Sequence, residues 1–248
     1  MLSPEVQSRL DTARFAEATY QPREDIASRL GEKVLIMLVG PAAAGKTYIM
    51  DEVVASDPRF QRVSVFTTRT ARPDDAPGMF RCLPHDDEHV SQLLGLIDER
   101  EVVQYAVHPT QGTIYGTMVD DYPGEANLLA TLSGSVEHMR RLPFKEAYAV
   151  CLATMPDDWQ SWFDDRFPVG HPDRIKRLGE AVSSLEWMLD EANQGIIRWV
   201  PNFAGQPEVA AREIISVTDG TEPKRDETLV DYAKATLERA RQLASHEV

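Results

Sequence analysis

Cysteine is scarce: 248 residues contain two, Cys82 and Cys151, with no C-x-x-C spacing. That excludes a disulfide framework and a cysteine-built zinc site, and it fits a reducing cytoplasm. Long apolar runs are missing as well. The opening stretch, MLSPEVQSRLDTARFAE, has charges and a proline where an export signal needs an unbroken apolar region. No run approaches the roughly 20 apolar residues of a membrane-spanning helix. The expectation is a soluble, unexported, cytoplasmic protein with no membrane partner. Basic charge is in deficit, with 26 Lys and Arg against 40 Asp and Glu, a formal net charge of -14. Such a field repels polyanions except where basic residues cluster, so long nucleic acid is not an expected partner. No internal repeat or low-complexity tract breaks the chain.

What is present is an ordinary globular composition, 42% hydrophobic and 27% charged, enough for one full core with appendages. Ser3 before Pro4 marks a helix start, and Val6, Leu10, Ala13, Ala16 and Tyr20 recur at helical spacing, which predicts an N-terminal helix outside the core. Apolar runs then alternate with helical patterns: strand 34–39, helix 46–55, strand 63–66. Such alternation favours an α/β layered fold. Segments 101–107 and 112–115, separated by Pro109-Thr110-Gln111, read as an antiparallel excursion. Further strands are expected at 127–132, 148–153 and 196–200, and helices at 157–165, 174–192 and 208–217. After a turn-rich joint at 219–223, Leu229, Ala233, Leu237, Ala240 and Ala244 carry a last amphipathic helix.

The most specific motif is Gly40-Pro41-Ala42-Ala43-Ala44-Gly45-Lys46-Thr47, which fits G-x-x-x-x-G-K-[ST] between an expected strand and an expected helix. Loop N–H groups and the positive end of a helix dipole converge on phosphate oxygens there, and small residues at 42–45 let the backbone approach closely. Lys46 would bridge the β- and γ-phosphates of ATP, and the Thr47 hydroxyl would ligate Mg²⁺. Downstream, Arg69 and Arg72 lie three apart just beyond a strand and can offer planar forks to one phosphate dianion.

With Thr67-Thr68-Arg69-Thr70-Ala71-Arg72, Tyr105-Ala106, Ile114-Tyr115-Gly116-Thr117, Asp164-Asp165-Arg166, Arg174-Ile175-Lys176-Arg177-Leu178 and Val200-Pro201-Asn202 in order, the chain resembles the guanylate kinase family of nucleoside monophosphate kinases over roughly 33–218. The resemblance implies a P-loop NTPase three-layer α/β fold with a parallel core sheet, a small mixed or antiparallel β acceptor-binding subdomain at about 67–125 and a helical lid at about 157–180. Residues 1–32 would be a helical extension and 219–248 a terminal helix, and the two terminal helices could support a homodimer. It implies ATP-dependent transfer to a small phosphorylated acceptor, gripped by Arg69, Arg72 and Tyr115 with Thr117 beside them. Arg166 and Arg177 match the lid arginines that neutralise charge on the transferring group. Asn202 matches an asparagine near the donor adenine, with loop capping as its other reading.

The departures fall on the acceptor base. Val65 stands for a serine and Gln104 for the glutamate that accepts from guanine N1–H and its amino group. Arg81 stands for a tyrosine, adding positive charge near the phosphate grip, and Leu129 and Thr131 stand where strand-end acids are expected. A glutamine offers one carbonyl acceptor where a carboxylate offers two, so the acceptor is GMP-like or carries an altered base. The same losses suit another reading, a catalytically impaired module that binds a phosphorylated partner. Asp120, Asp121 and Glu125 read as a solvated turn, and His85-Asp86-Asp87-Glu88-His89 as an acid-rich helix start rather than a metal cluster. Trp159 and Trp162 read as packing residues, with base stacking as the alternative.

Overall fold

A computed structural model describes residues 2–73, 75–108, 111–220 and 226–247. Among these, the chain runs through α1 (Pro4–Ala16), α2 (Glu24–Leu30), β1 (Val34–Val39), α3 (Lys46–Ser56), β2 (Phe60–Arg62) and β3 (Val65–Thr67). It continues through β4 (Phe80–Cys82), α4 (Asp87–Asp98), β5 (Gln104–Val107), β6 (Ile114–Thr117), β7 (Ala126–Ala130), α5 (Val136–Arg140) and β8 (Glu146–Ala153). The last elements are α6 (Pro156–Arg166), α7 (Arg174–Leu189), β9 (Ile197–Pro201), α8 (Pro207–Thr218) and α9 (Glu227–His246). The fold is α/β, with a parallel five-stranded sheet in the order β2-β7-β1-β8-β9 and a second, mixed sheet in the order β4-β3-β6-β5. Two expected turns, at Pro109-Thr110 and beyond Gly220, fall on residues outside the described ones.

The chain divides into two compact units, the first comprising 1–34, 61–127 and 137–146 and the second 35–60, 128–136 and 147–248. The first unit is built on the mixed sheet. β3 and β4 run parallel, with Val65 opposite Phe80, and β5 and β6 run antiparallel, with Gln104 opposite Thr117 and Tyr105 opposite Gly116. Gly116 permits that pairing: a Cβ there would stand 2.3 Å from the Phe66 ring and 2.8 Å from the Gln104 carbonyl.

Helix α1 does not lie outside the core, contrary to the sequence expectation. Ser3 caps it, its hydroxyl accepting from the N–H of Val6, and Val6, Leu10 and Ala13 enter one apolar cluster with Phe66, Val90, Leu94, Tyr105 and Ile114. The Tyr105 hydroxyl donates to the Ala13 carbonyl at 2.8 Å, and Tyr20 donates to the Val102 carbonyl at 2.9 Å. Helical spacing reveals an apolar stripe but not its partner, and here the partner is α4 and β5 of the same unit. Asp86 caps α4, accepting from the His89 N–H at 3.0 Å and contacting its ring at 2.8 Å, which explains the His-Asp-Asp-Glu-His run as a helix start.

In the second unit, Leu35 to Val39 of β1 are wholly buried, as an unbroken apolar run flanked by helices requires. α8 packs on α3, and α9 lays Leu229, Val230, Ala233, Leu237 and Ala240 against α7, α6 and β9. Thr236 Oγ1 donates to the Thr154 carbonyl at 3.0 Å. The apolar stripes of α1 and α9 are thus buried within their own units. Both cysteines are free, and burial pushes the Cys151 thiol up. No helix among the described residues is long and apolar enough to cross a membrane.

Candidate functional site

β1 delivers the chain to Gly40, and α3 carries it away from Gly45. Two residues between them are left-handed, Ala43 at φ 64° and Gly45 at φ 69°. At Gly45 the requirement is double, since an added Cβ would also stand 3.3 Å from the Asn202 amide nitrogen. No side chain caps α3, so the N–H groups of its first turn are left for a ligand. The loop is pinned from two sides. Asn202, itself 4% exposed, donates its amide to the Ala44 carbonyl at 2.9 Å, and the Trp159 indole donates to the Ala42 carbonyl at 2.9 Å. Asn202 is in turn placed by its own N–H, which donates to the Ala153 carbonyl at the end of β8. Trp159 is therefore a buried brace of the loop, and Asn202 a loop tie.

Lys46 reaches back over the loop, its ammonium donating to the carbonyls of Gly40 at 2.8 Å and Pro41 at 2.9 Å. Burial chiefly, then the Arg166 cation, lowers its pKa to about 8; Glu180 opposes and Arg177 adds to the lowering. The two arginines converge on one ring: Arg166 lies 5.4 Å and Arg177 5.8 Å from the centroid of Phe167. Arg177 also pairs with Glu180 at 2.6 Å. Lys46, Arg166 and Arg177 thus lie close enough to act on one another, with Glu180 among them, a net positive group suited to an anion. A cavity of about 330 Å³ adjoins the loop, lined by Ala43, Gly45, Tyr48, Trp162, Asn202 and Phe203 among others. Tyr48 and Phe203 carried no sequence signal, and Trp162, expected to pack, is a wall of this cavity.

The first unit places the remaining residues otherwise. Arg69 is 7% exposed and gives both ends of its fork to Asp75, at 2.8 and 2.6 Å, while stacking 4.4 Å from the Phe80 ring centroid. The same carboxylate accepts from the Arg72 N–H at 2.8 Å, leaving the Arg72 side chain exposed. Arg81 is likewise matched by a carboxylate, pairing with Asp121 and also donating to Ser64 Oγ at 3.2 Å. Asp121 is 6% exposed and also accepts from the Met118 N–H at 2.7 Å, so this acid is a buried partner rather than part of a solvated turn. Thr117 is buried, its hydroxyl sharing a 2.9 Å hydrogen bond with that of Tyr122. Tyr115 and Gln104 stay partly exposed on β6 and β5. Asp75 and Asp121, the acids that set the state of both arginines, have no periodicity that marks them in sequence.

Thr47, the second residue of α3, is the oxygen donor available for Mg²⁺. Among the described residues, no three His, Cys, Asp or Glu side chains gather as a metal site. A single hydroxyl completed by phosphate oxygens and water still suits a hard cation that keeps much of its hydration.

No family model and no curated protein matches the chain. Among solved structures it is similar to guanylate kinase from Anaplasma phagocytophilum, with a TM-score of 0.46 and 14% identity over 79% of this chain and 88% of that one.

Proposed function

We propose that the chain is an ATP-dependent phosphotransferase acting on a nucleoside monophosphate or a related small phosphorylated acceptor. The observation that carries this reading is the cluster of Lys46, Arg166 and Arg177 at a pinned phosphate loop. Phosphoryl transfer asks little covalent chemistry of a protein; it asks for positioning and for positive charge where the transition state spreads its negative charge. The loop N–H groups hold the donor phosphates. Lys46 exchanges its Gly40 and Pro41 carbonyls for phosphate oxygens, while Arg166 and Arg177 meet the transferring group. Thr47 would hold Mg²⁺, which supplies further neutralisation of phosphate charge. The aromatic cavity walled by Tyr48, Trp162 and Phe203 would take the donor base.

On the acceptor side, Arg69, Arg72 and Tyr115 would bind the monophosphate, with Arg81 and Thr117 supporting them. Gln104 and Val65 supply fewer acceptors than guanine's paired donors require, so strict GMP selectivity is not expected. The test is ADP release, coupled to NADH oxidation, over a panel of nucleoside monophosphates, with Lys46→Ala as control. Turnover surviving that substitution would remove the reading.

A second reading rests on the departures at the acceptor base, with Val65 and Gln104 where acceptors to guanine are expected. Loss of base reading suits a module that holds a phosphorylated partner without transfer. Calorimetry with ATP and Mg²⁺ separates the two, since a module that has given up transfer has no need to bind ATP.

A further inference from the structure

The group that organises the arginine cluster is one the motifs did not single out. Arg174, the first residue of α7, is 3% exposed. Its guanidinium pairs with Asp164 of α6 at 2.8 Å and with Glu247, just beyond α9, at 2.6 Å. It also donates to the Phe167 carbonyl and lies 5.2 Å from the Phe163 ring centroid. One buried cation therefore joins the end of α6, the start of α7 and the end of α9. Phe167, whose backbone it holds, is 6% exposed and is the ring on which Arg166 and Arg177 both rest. α9 adds two outer ties, Arg239 to Asp157 of α6 at 3.1 Å and Arg241 to Glu186 of α7 at 2.8 Å.

A buried ion pair contributes little net stability compared with an apolar replacement of the same volume, so its use lies in the geometry it enforces. An arginine must direct several N–H groups at fixed angles, and here they reach Glu247 and the Phe167 carbonyl while the charge also pairs with Asp164. Catalysis by charge depends on ångström-scale placement, because electrostatic stabilisation of a transition state comes from groups already in position. We propose that Arg174 is a positioning residue: latched by Glu247 and Asp164, it fixes Phe167 and through it the places of Arg166 and Arg177, so that α9 holds the α6–α7 segment in register with the phosphate loop. The α6–α7 segment is then a braced element rather than a freely hinged lid. This inference rests on the phosphotransferase reading for its catalytic consequence, but its structural half does not need a nucleotide.

The test uses the full chain with Glu247→Gln, which removes one charge and keeps the shape, and Glu247→Asp as the conservative partner. Arg174→Met is the stronger change, and Glu247→Gln carries the test if that variant fails to fold. Hydrogen exchange of the amides at 163–177 is expected to quicken about tenfold in Glu247→Gln while α3 and α8 stay unchanged. kcat is expected to fall about tenfold with the KM for ATP held within about twofold, and Glu247→Asp to restore most of it. In an Arg166→Ala background, Glu247→Gln should add less than about twofold, because its effect runs through the arginine. Unchanged exchange at 163–177, or full additivity with Arg166→Ala, would overturn the proposal. If the wild-type chain transfers no phosphoryl group, the phosphotransferase reading fails, and the exchange measurement alone decides whether the latch exists.

Discussion

In the unit that carries the loop from Gly40 to Thr47, Lys46 is held by two backbone carbonyls, Arg166 and Arg177 lie over one aromatic ring, and Arg177 also pairs with Glu180. In the other unit, Arg69 and Arg81 are each held by a carboxylate, Asp75 and Asp121. Carbonyls orient a cation without neutralising it, so the Lys46 charge is not cancelled by its two partners, while Arg177 is matched by Glu180. A carboxylate cancels the charge it orients, so any anion reaching Arg69 would have to displace Asp75 or bind beside it. The difference concerns electrostatic readiness: Lys46 is oriented without a counter-charge, whereas Arg69 and Arg81 are each already matched by a carboxylate.

The largest effect that can break this comparison is Lys46→Ala, expected to lower kcat by on the order of 10³, read by ADP release. Next, Arg166→Ala or Arg177→Ala should cost about 10² in kcat with a smaller change in KM for ATP, as groups acting mainly in the transition state do. A raised KM for ATP with kcat unchanged would mean that they serve ground-state binding instead.

Stability gives a third test. The folded pKa of Lys46 is lowered to about 8 from an ordinary 10.5. Below pH 8 the lysine is charged in folded and unfolded chains alike, so the burial penalty is fully present. It shrinks as pH rises, because the folded chain releases the proton first, and it is gone above 10.5. Lys46→Met should therefore stabilise the nucleotide-free chain at pH 7 by about 1–3 kcal/mol, a gain that fades through this window in urea unfolding. Nucleotide affinity runs the other way: phosphates favour the ammonium, so affinity for ATP should fall as pH rises beyond 8.

Smaller effects probe the acceptor side. Gln104→Glu should raise kcat/KM for GMP by about tenfold, the worth of one restored charged acceptor to guanine. Asp75→Asn, which leaves Arg69 its stacking but removes the competing charge, should lower the acceptor KM by a few-fold. An unchanged KM would show that the phosphate binds beside the Arg69–Asp75 fork.

Periodicity and motif spacing made much of the fold legible. β1 falls at the residues anticipated for it, and α3, β8, β9, α8 and α9 within one to three residues, because each is a long apolar or amphipathic run between strong punctuators. α2, β4 and α5 were not anticipated: seven, three and five residues are too few to show a period. The loop's chemistry was readable since G-x-x-x-x-G-K-T encodes its own geometry. Of its supports, Asn202 was readable in one of its two readings as a loop cap, whereas Trp159 acts through a contact with a residue distant in sequence.

The sequence by itself determined an α/β chain with a phosphate loop opening α3 and with arginines at 69, 72, 166 and 177, since local spacing dictates strand, turn and helix chemistry. Only the tertiary structure decided what those cations meet: Asp75 for Arg69, Glu180 for Arg177, and one ring for Arg166 and Arg177 together. That outcome depends on where Asp75, Glu180 and Phe167 come to lie. Electrostatic state is set by distance in space, and no spacing along the chain records it.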